Sequence, residues 1–234
     1  GKGSDCNAVF AATDSNREIK PKQKVKNKTG TNENGSKPSG SDAHNKRAIA
    51  LSLCDGMGCF GITLELEGKF ESMGITEYIG VEKSKEARRV ATAANRPHDA
   101  HPGVTHGFNG KSDIFDITEE DIAKLPKNAL KIINATAECN DFSKLRLLPD
   151  RDDYRGPRRK VGEDPRPGLD GKYGRTFRKC IQIIGWAQKH HPLVKYFVEN
   201  VDFSDMKEDW SEVCGALGTP LVITASDYST TKRR

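Results

Sequence analysis

A cysteine at the end of an apolar run is the first residue of this sequence that could do chemistry. Cys139 follows the run at 129–133, which predicts a short buried strand, and it precedes a long loop rich in arginine, proline and glycine. A nucleophile of an α/β enzyme lies at such a strand exit, whereas an isolated cysteine is more often an inert buried thiol. Cys139 alone favours the inert interpretation, so the choice depends on the residues that accompany it.

A glycine loop is the second candidate. The spacing Gly56-x-Gly58-x-x-Gly61 follows an apolar run at 48–53 and precedes a segment of helical character. In a strand–loop–helix context this spacing is the dinucleotide fingerprint. Glu82 ends the next predicted strand, where an acid can bond ribose hydroxyls. The loop therefore predicts a nucleoside-containing cofactor, and a tight turn without a ligand is the alternative.

Acidic residues refine the choice of cofactor. Asp55 opens the glycine loop and would repel a pyrophosphate, whereas S-adenosylmethionine has no phosphate and carries a sulfonium and an ammonium group. Asp113 ends an apparent third strand, where it could accept a hydrogen bond from an adenine amino group. Asp116 competes for that role, and either acid could instead cap the following helix.

Glu199 is the remaining candidate for the chemistry. It lies near the end of an apolar strand predicted at 195–201. Beside a desolvated base, its carboxyl group would have a raised pKa and could donate a proton to a ring nitrogen. An ordinary acid at a strand end is the alternative.

Alternating strands and helices must position these residues. Strands are predicted at 48–53, 78–82, 113–117, 129–133, 195–201 and 221–225, and helices at 62–67, 83–95, 118–125, 174–191 and 210–217. Strand–loop–helix–strand units predict an α/β fold with a mostly parallel, doubly wound sheet. Residues 97–112, rich in His, Gly and Pro, are predicted to be a surface loop.

The composition excludes several classes of protein. The chain has 234 residues, and no apolar stretch approaches the length of a membrane span. The six cysteines include no Cys-x-x-Cys pair and no histidine pair at zinc spacing, which argues against a zinc module or a disulfide scaffold. Reduced thiols are typical of the cytosol or nucleus.

The charge is unevenly distributed. Residues 1–47 hold 10 Lys and Arg against 5 Asp and Glu, a net charge of +5, which equals the whole chain's 38 minus 33. We predict a disordered basic tail over 1–47, which would bind nucleic acid, direct nuclear import or serve as a solvated linker. Residues 48–234 form the predicted folded domain, with an Arg- and Pro-rich active-site loop at 146–173.

Taken in order, these motifs resemble those of the DNA cytosine-5 methyltransferase family, most closely its type 3, de novo branch. The resemblance covers about residues 48–234. It rests on the segments 51–58 (the cofactor loop), 78–82 (the ribose-binding strand), Cys139-Asn140-Asp141-Phe142-Ser143, Gly174-Arg175-Thr176-Phe177, Phe197-Val198-Glu199-Asn200-Val201 and Ser229-Thr230-Thr231-Lys232-Arg233.

The resemblance implies a Rossmann-like class I methyltransferase that uses S-adenosylmethionine. Cys139 would attack carbon 6 of a cytosine flipped out of DNA, Glu199 would hold its ring nitrogen and amine, and Arg233 would hold the base carbonyl or support the nucleophile. The implied cofactor-binding residues are Leu53, Asp55, Gly56, Met57, Gly58, Gly61, Glu82, Asp113 and Ile114. The implied nucleic-acid-binding residues are Asn140, Ser143, Arg146, Arg155, Arg158, Arg159 and Arg175.

The implied partners are double-stranded DNA and, in a homo- or hetero-oligomer, related methyltransferases. The implied location is the nucleus, with no membrane association. Two departures from the family pattern bear on activity. Glu138 replaces the proline that precedes the nucleophile, and the sequence ends at Arg234, before the rest of the arginine motif, the target-recognition region and the final strand. We therefore expect a domain that is incomplete at its C-terminus and has weak or no activity.

Two alternatives remain open. One is a non-catalytic, methyltransferase-like protein that binds DNA or regulates a partner, which the acid at Glu138 favours. The other is a tRNA cytosine-5 methyltransferase on the same fold, which the Cys139-Asn140-Asp141 signature disfavours.

Overall fold

A computed structural model describes residues 6–11, 47–98, 101–144, 164 and 166–224. The strands within these ranges are β1 (Cys6–Ala11), β2 (Ile49–Leu53), β3 (Glu77–Val81), β4 (Val104–His106), β5 (Leu130–Ala135), β6 (Lys195–Val201) and β7 (Leu221–Thr224). The α-helices are α1 (Cys59–Leu66), α2 (Lys69–Ser72), α3 (Lys85–Ala94), α4 (Glu119–Ala123), α5 (Lys172–His190) and α6 (Lys207–Leu217). The strands form one sheet in the order β4-β3-β2-β5-β6-β1-β7.

Five neighbouring strands, from β4 to β6, are parallel to one another. The chain builds β2, β3 and β4 outward in one direction and then returns to add β5 and β6 on the other side of β2. Such a reversal creates a crevice between the first strands of the two halves, outside their carboxyl ends. The predicted α/β fold with a mostly parallel sheet is confirmed, and its crevice lies between β2 and β5.

Helices cover both faces of the sheet because successive side chains of a strand point to opposite faces. On β2, Leu51 belongs to a large core that includes Ile122 of α4, Phe177 of α5 and Val213 of α6. Its neighbour Ala50 belongs to a smaller core with residues of α1 and α2. Every residue of β2 is buried, as expected for a central parallel strand.

The third parallel strand is not where the sequence predicted it. The segment 113–117 forms a 3₁₀ helix, Ile114–Asp116, because the side chain of Asp113 accepts a hydrogen bond from the backbone N–H of Phe115 and caps that turn. The strand beside β3 is β4, which lies inside the predicted surface loop at 97–112. The capping sequence predicted for the next helix is confirmed, since Thr118 and Asp121 form a reciprocal capping box.

Strand β1 contradicts the expectation of a disordered tail for residues 6–11. These six residues lie between β6 and β7 and pair antiparallel with both. Their sequence, Cys-Asn-Ala-Val-Phe-Ala, is apolar enough to occupy a sheet interior, and the high charge of the surrounding segment concealed it. Residues 12–46 lie outside the described ranges.

Helix α5 begins at Lys172, two residues before the predicted start, and a 3₁₀ helix at Gly168–Asp170 precedes it. The predicted loop at 146–173 is therefore shorter at its C-terminal end, and residues 145–163 and 165 are not described. No helix in the described ranges has the length and apolar character needed to cross a membrane.

Candidate active site

Parallel strands bring the candidate residues to one edge of the sheet. Glu82 follows β3, the glycine loop follows β2, and the loop that carries Cys139 follows β5. The pairing of β5 with β6 ends at Ala135 and Val198, so Glu199 lies one residue beyond the last pair, beside the Cys139 loop. The order β3-β2-β5-β6 therefore places all four features in a row at the carboxyl edge.

Glu82 is held to the glycine loop by its carboxylate. Its Oε2 accepts a hydrogen bond from the backbone N–H of Gly56 at 3.0 Å, and its Oε1 accepts one from Ser84 at 2.7 Å. Gly56 has a φ of 56°, which favours glycine, and a Cβ placed there would meet no atom within 4 Å. The loop therefore presents open backbone next to an oriented carboxylate, which fits a nucleoside with a free ribose diol.

The other two glycines of the loop serve internal packing. A Cβ at Gly58 or at Gly61 would overlap the side-chain amide of Asn95. Asn95 is buried and donates a hydrogen bond from Nδ2 to the carbonyl of Gly58 at 3.0 Å. The glycine spacing that resembles a ligand fingerprint is thus required partly by a buried asparagine that directly follows helix α3. The sequence analysis did not identify this partner.

His101 in turn orients Asn95. The backbone N–H of Gly103 donates to His101 Nδ1 at 2.9 Å, so the ring proton lies on Nε2, which donates to Asn95 Oδ1 at 3.1 Å. Burial lowers the pKa of His101, against a smaller opposing effect of Glu65. The glycine loop is therefore fixed through a neutral histidine.

The carboxylate of Asp55 faces the interior of the protein. The residue is 7% exposed, and its Oδ1 accepts a hydrogen bond from the hydroxyl of Tyr78. Burial raises the pKa of Asp55, and the hydrogen bond from Tyr78 only partly offsets that rise. The Asp55 side chain therefore links the loop after β2 to Tyr78 of β3, and its contact with a cofactor stays a prediction.

The other residues that were predicted to bind a cofactor differ in exposure. Asp113 accepts hydrogen bonds from Lys83 at 2.6 Å and from the N–H of Phe115, and the bond from Lys83 is the largest cause of its lowered pKa. Leu53 and Ile114 are buried in the core, whereas Met57 is exposed. Leu53 and Ile114 support the edge, and Met57 and Asp113 are accessible from it.

A tight turn presents Cys139. Its carbonyl accepts hydrogen bonds from the backbone N–H groups of Phe142 and Ser143, both at 3.0 Å, and its side chain is half-buried. The side chain of Asn140 donates to the carboxylate of Glu138 at 3.1 Å, and both of these residues are exposed. The two residues that flank the cysteine therefore pair with each other at the surface.

Asp141 and Phe142 anchor this turn. Asp141 is 2% exposed, and its Oδ2 accepts hydrogen bonds from the backbone N–H groups of Tyr173 at 2.7 Å and Gly174 at 3.0 Å. These N–H groups belong to the first turn of α5, which otherwise has no side-chain cap. The ring of Phe142 lies 4.6 Å from that of Phe203, in a buried aromatic cluster. Asp141 and Phe142 thus hold the turn against α5 and the core, while Cys139 lies at the carboxyl edge of the sheet.

Arg166 is a site residue that the sequence analysis missed. Its guanidinium donates to the carbonyl of Phe142, to both oxygens of Asp164 and to both oxygens of Asp205. The hydrogen bonds that it donates to these acids raise its pKa, the bond to Asp164 being the largest cause. The sequence offered no signal, because Arg166 was one of many arginines in an aperiodic loop.

Glu199 is half-buried on β6. Burial is the cause of its raised pKa, so its carboxyl group holds a proton more tightly than a solvent-exposed glutamate does. Its neighbours Val198 and Asn200 are buried on the opposite face of the strand. The role of Glu199 as a proton donor to a base stays a prediction.

The predicted nucleic-acid-binding residues are described only in part. Asn140 and Ser143 lie in the turn of Cys139, and Arg175 is exposed near the start of α5. The remaining predicted arginines, Arg146, Arg155, Arg158, Arg159 and Arg233, lie outside the described ranges. Two surface cavities of about 380 and 310 Å³ contain none of the predicted site residues.

In the part of the chain that the structure describes, no group of three or more His, Cys, Asp or Glu side chains is arranged to hold a metal ion. No protein-family model matches the chain, and no curated protein matches it. The site geometry and the motifs therefore carry the functional assignment.

Proposed function

We propose that this chain is the catalytic domain of an S-adenosylmethionine-dependent methyltransferase that acts on carbon 5 of cytosine in DNA. The observation that carries the proposal is the arrangement of Glu82, the glycine loop, Cys139 and Glu199 in a row at the carboxyl edge of the sheet. Glu82, the glycine loop and Cys139 follow three different strands and Glu199 lies on a fourth, so the fold brings together features that are far apart in the sequence.

Cys139 and Glu199 divide the chemistry between them. Carbon 5 of cytosine is a weak nucleophile until a thiolate adds to carbon 6 of the same ring. Cys139 supplies that thiolate, and Glu199, with its raised pKa, donates a proton to ring nitrogen 3 as the electrons move toward carbon 5. Because the edges of a stacked base are out of reach, the cytosine must leave the duplex first.

Gly56 and Glu82 are the residues that would hold the cofactor. The open space beside Gly56 admits a ligand close to the backbone, and the fixed carboxylate of Glu82 retains lone pairs for the two ribose hydroxyls. The bound cofactor supplies the methyl group. The neighbouring exposed Met57 adds an apolar surface at the mouth of the loop.

The start of α5 supports the contact with DNA. Lys172 and Arg175 are exposed on its first turns, and Asp141 ties this helix end to the turn of Cys139. Exposed basic side chains beside the nucleophile can neutralise phosphates that flank the target base. The target base would lie in the crevice between β2, which carries the predicted cofactor loop, and β5, which leads to Cys139.

Covalent trapping tests the proposal. The chain is incubated with S-adenosylmethionine and a DNA duplex in which 5-fluorocytosine replaces the target cytosines, since fluorine at carbon 5 blocks release of the enzyme. We expect a denaturation-resistant adduct that maps to Cys139 and disappears in Cys139→Ser. The matched control, Cys59→Ser, changes an exposed cysteine and should retain the adduct. An adduct that persists in Cys139→Ser, or none in a wild-type chain that binds the duplex, contradicts the proposal.

Glu138 favours a second candidate function, a DNA-binding protein with impaired catalysis. Its exposed carboxylate lies beside the nucleophile, where it would repel both phosphate and a developing thiolate. In this case the wild-type chain binds the duplex without an adduct, and Glu138→Pro fails to create one. Methyl transfer to tRNA rather than to duplex DNA would instead support the RNA enzyme.

A further inference from the structure

Cys54 and Cys180 bring two thiols together outside the proposed reaction. Their Sγ atoms lie 4.0 Å apart although the residues are 126 positions apart in the sequence. Cys54 immediately follows β2, at the start of the glycine loop, and Cys180 lies on α5. The pair therefore joins the cofactor-binding half of the site to the helix whose start supports the Cys139 turn.

The two thiols differ in accessibility. Cys54 is half-buried, whereas Cys180 is completely buried. The hydrogen bond with Cys54, followed by burial, raises the pKa of the Cys180 thiol. A reagent in solution therefore meets Cys54 first, and Cys180 reacts afterwards with the sulfur of Cys54 itself.

The backbone of Cys54 lies in a loop, where its conformation can change. Its φ of 56° lies in the left-handed region, which non-glycine residues seldom adopt, and the residue belongs to a loop rather than to the strand. A disulfide requires the sulfur atoms to approach to about 2.0 Å. The loop side supplies this movement, because Cys180 is fixed in the middle of a long helix between buried neighbours.

We propose that Cys54 and Cys180 form a reversible disulfide, with a low-molecular-weight disulfide as the oxidant. The Cys54 thiolate attacks one sulfur of the oxidant, forms a mixed disulfide and releases one thiol. The Cys180 thiol loses its proton and attacks the Cys54 sulfur, which releases the second thiol. Two protein thiols are thereby oxidised, and one oxidant disulfide is reduced to two thiols. The bond tethers the glycine loop to α5.

Oxidised glutathione is the probe that tests this pair. The whole chain is equilibrated with glutathione buffers of increasing oxidised fraction, its remaining thiols are alkylated, and its peptides are analysed by mass spectrometry. We expect a peptide that joins Cys54 to Cys180, formed with the loss of two hydrogen atoms and reversed by dithiothreitol. The thermal midpoint of the oxidised chain should rise by about 5 °C or more, because the bond closes a long loop.

The variants separate this bond from other oxidation. Cys54→Ser should abolish both the joined peptide and the rise in thermal midpoint, whereas Cys59→Ser should change neither. Cys54→Ser is preferred to a change at Cys180, since a substitution in the core could prevent folding. Glutathione that stays attached to Cys54, or complete alkylation of both cysteines in the most oxidising buffer, would overturn the proposal. This test is independent of methyl transfer.

Discussion

Arg166 donates a hydrogen bond from its guanidinium to the backbone carbonyl of Phe142 at 3.2 Å. The same side chain is 2% exposed and also pairs with Asp205 at 2.9 Å. Phe142 belongs to the turn after β5, and Asp205 follows β6. One buried cation therefore links the exits of the two strands that carry Cys139 and Glu199.

We predict that Arg166→Leu lowers the free energy of unfolding by about 3 kcal/mol, because it leaves a buried carbonyl and two acids without their shared partner. Urea denaturation monitored by tryptophan fluorescence measures the change. The matched control, Arg175→Leu, removes an exposed arginine and should cost less than about 0.5 kcal/mol. Equal midpoints for the two variants would show that the buried network is not stabilising.

Asp141→Ala should lower the free energy of unfolding by about 1 to 2 kcal/mol, since it removes the cap of α5. Because the Cys139 turn loses its anchor at the same time, trapping of 5-fluorocytosine should also slow. Glu67→Ala, which changes an exposed acid outside the candidate site, serves as the control and should leave both quantities unchanged. If Asp141→Ala has the stability of the wild type, the carboxylate does not hold the helix.

The stability of the fold should decrease in mild acid because of His101. Its folded-state pKa is lowered below the unfolded value of about 6.5, so the unfolded chain takes up the proton first. Stability is therefore complete above that value and is lost as pH falls from there through the folded-state pKa. We expect the thermal midpoint to fall less steeply between pH 7.5 and 5.5 in His101→Gln than in the wild type, with part of the slope retained by His106. His98→Gln, at an exposed histidine, should keep the full wild-type slope; identical slopes for all three proteins would contradict this role.

Glu199 should show a conflict between stability and activity. Burial raises its folded-state pKa, so its contribution to stability is most favourable at low pH and is lost as pH rises through the folded-state value. The thermal midpoint of Glu199→Gln minus that of the wild type should therefore be larger at pH 8 than at pH 4. The same variant should slow covalent trapping by about 100-fold or more. The exposed Glu208→Gln is the control. A variant that traps at the wild-type rate would remove Glu199 from the chemistry.

Local patterns in the sequence predicted the fold because they depend on neighbours in the chain. The apolar run at 195–201 and the capping pair Thr118 and Asp121 have their causes within a few residues, and both were confirmed. Arg166 and Asn95 could not be found in this way, because their partners are distant in sequence and have no characteristic spacing. Strand β4 has three residues and no apolar run, so its pairing with β3 defines it.

In the candidate site, too, some features follow from local sequence patterns and others depend on contacts between distant residues. The motifs predicted that Cys139 and Glu199 belong to one site. The strand order agrees with this prediction, because β5, which leads to Cys139, lies beside β6, which carries Glu199. The hydrogen bond from Tyr78 to Asp55 was not predicted, because the sequence contains no sign that these two residues pair. Packing around an acidic residue, and not its position in a motif, determines which hydrogen-bond partner its carboxylate takes.

Strand β1 has a consequence for how the protein is made. Residues 6–11 leave the ribosome long before β6 and β7, the two strands between which they lie. They stay unpaired while roughly 190 further residues are synthesised. Pairing between strands that are so far apart in the sequence slows folding. We expect the sheet to be completed only after translation of β7, with the parallel half forming earlier. Until then, the backbone N–H and C=O groups of residues 6–11 have water, rather than β6 and β7, as their hydrogen-bond partners.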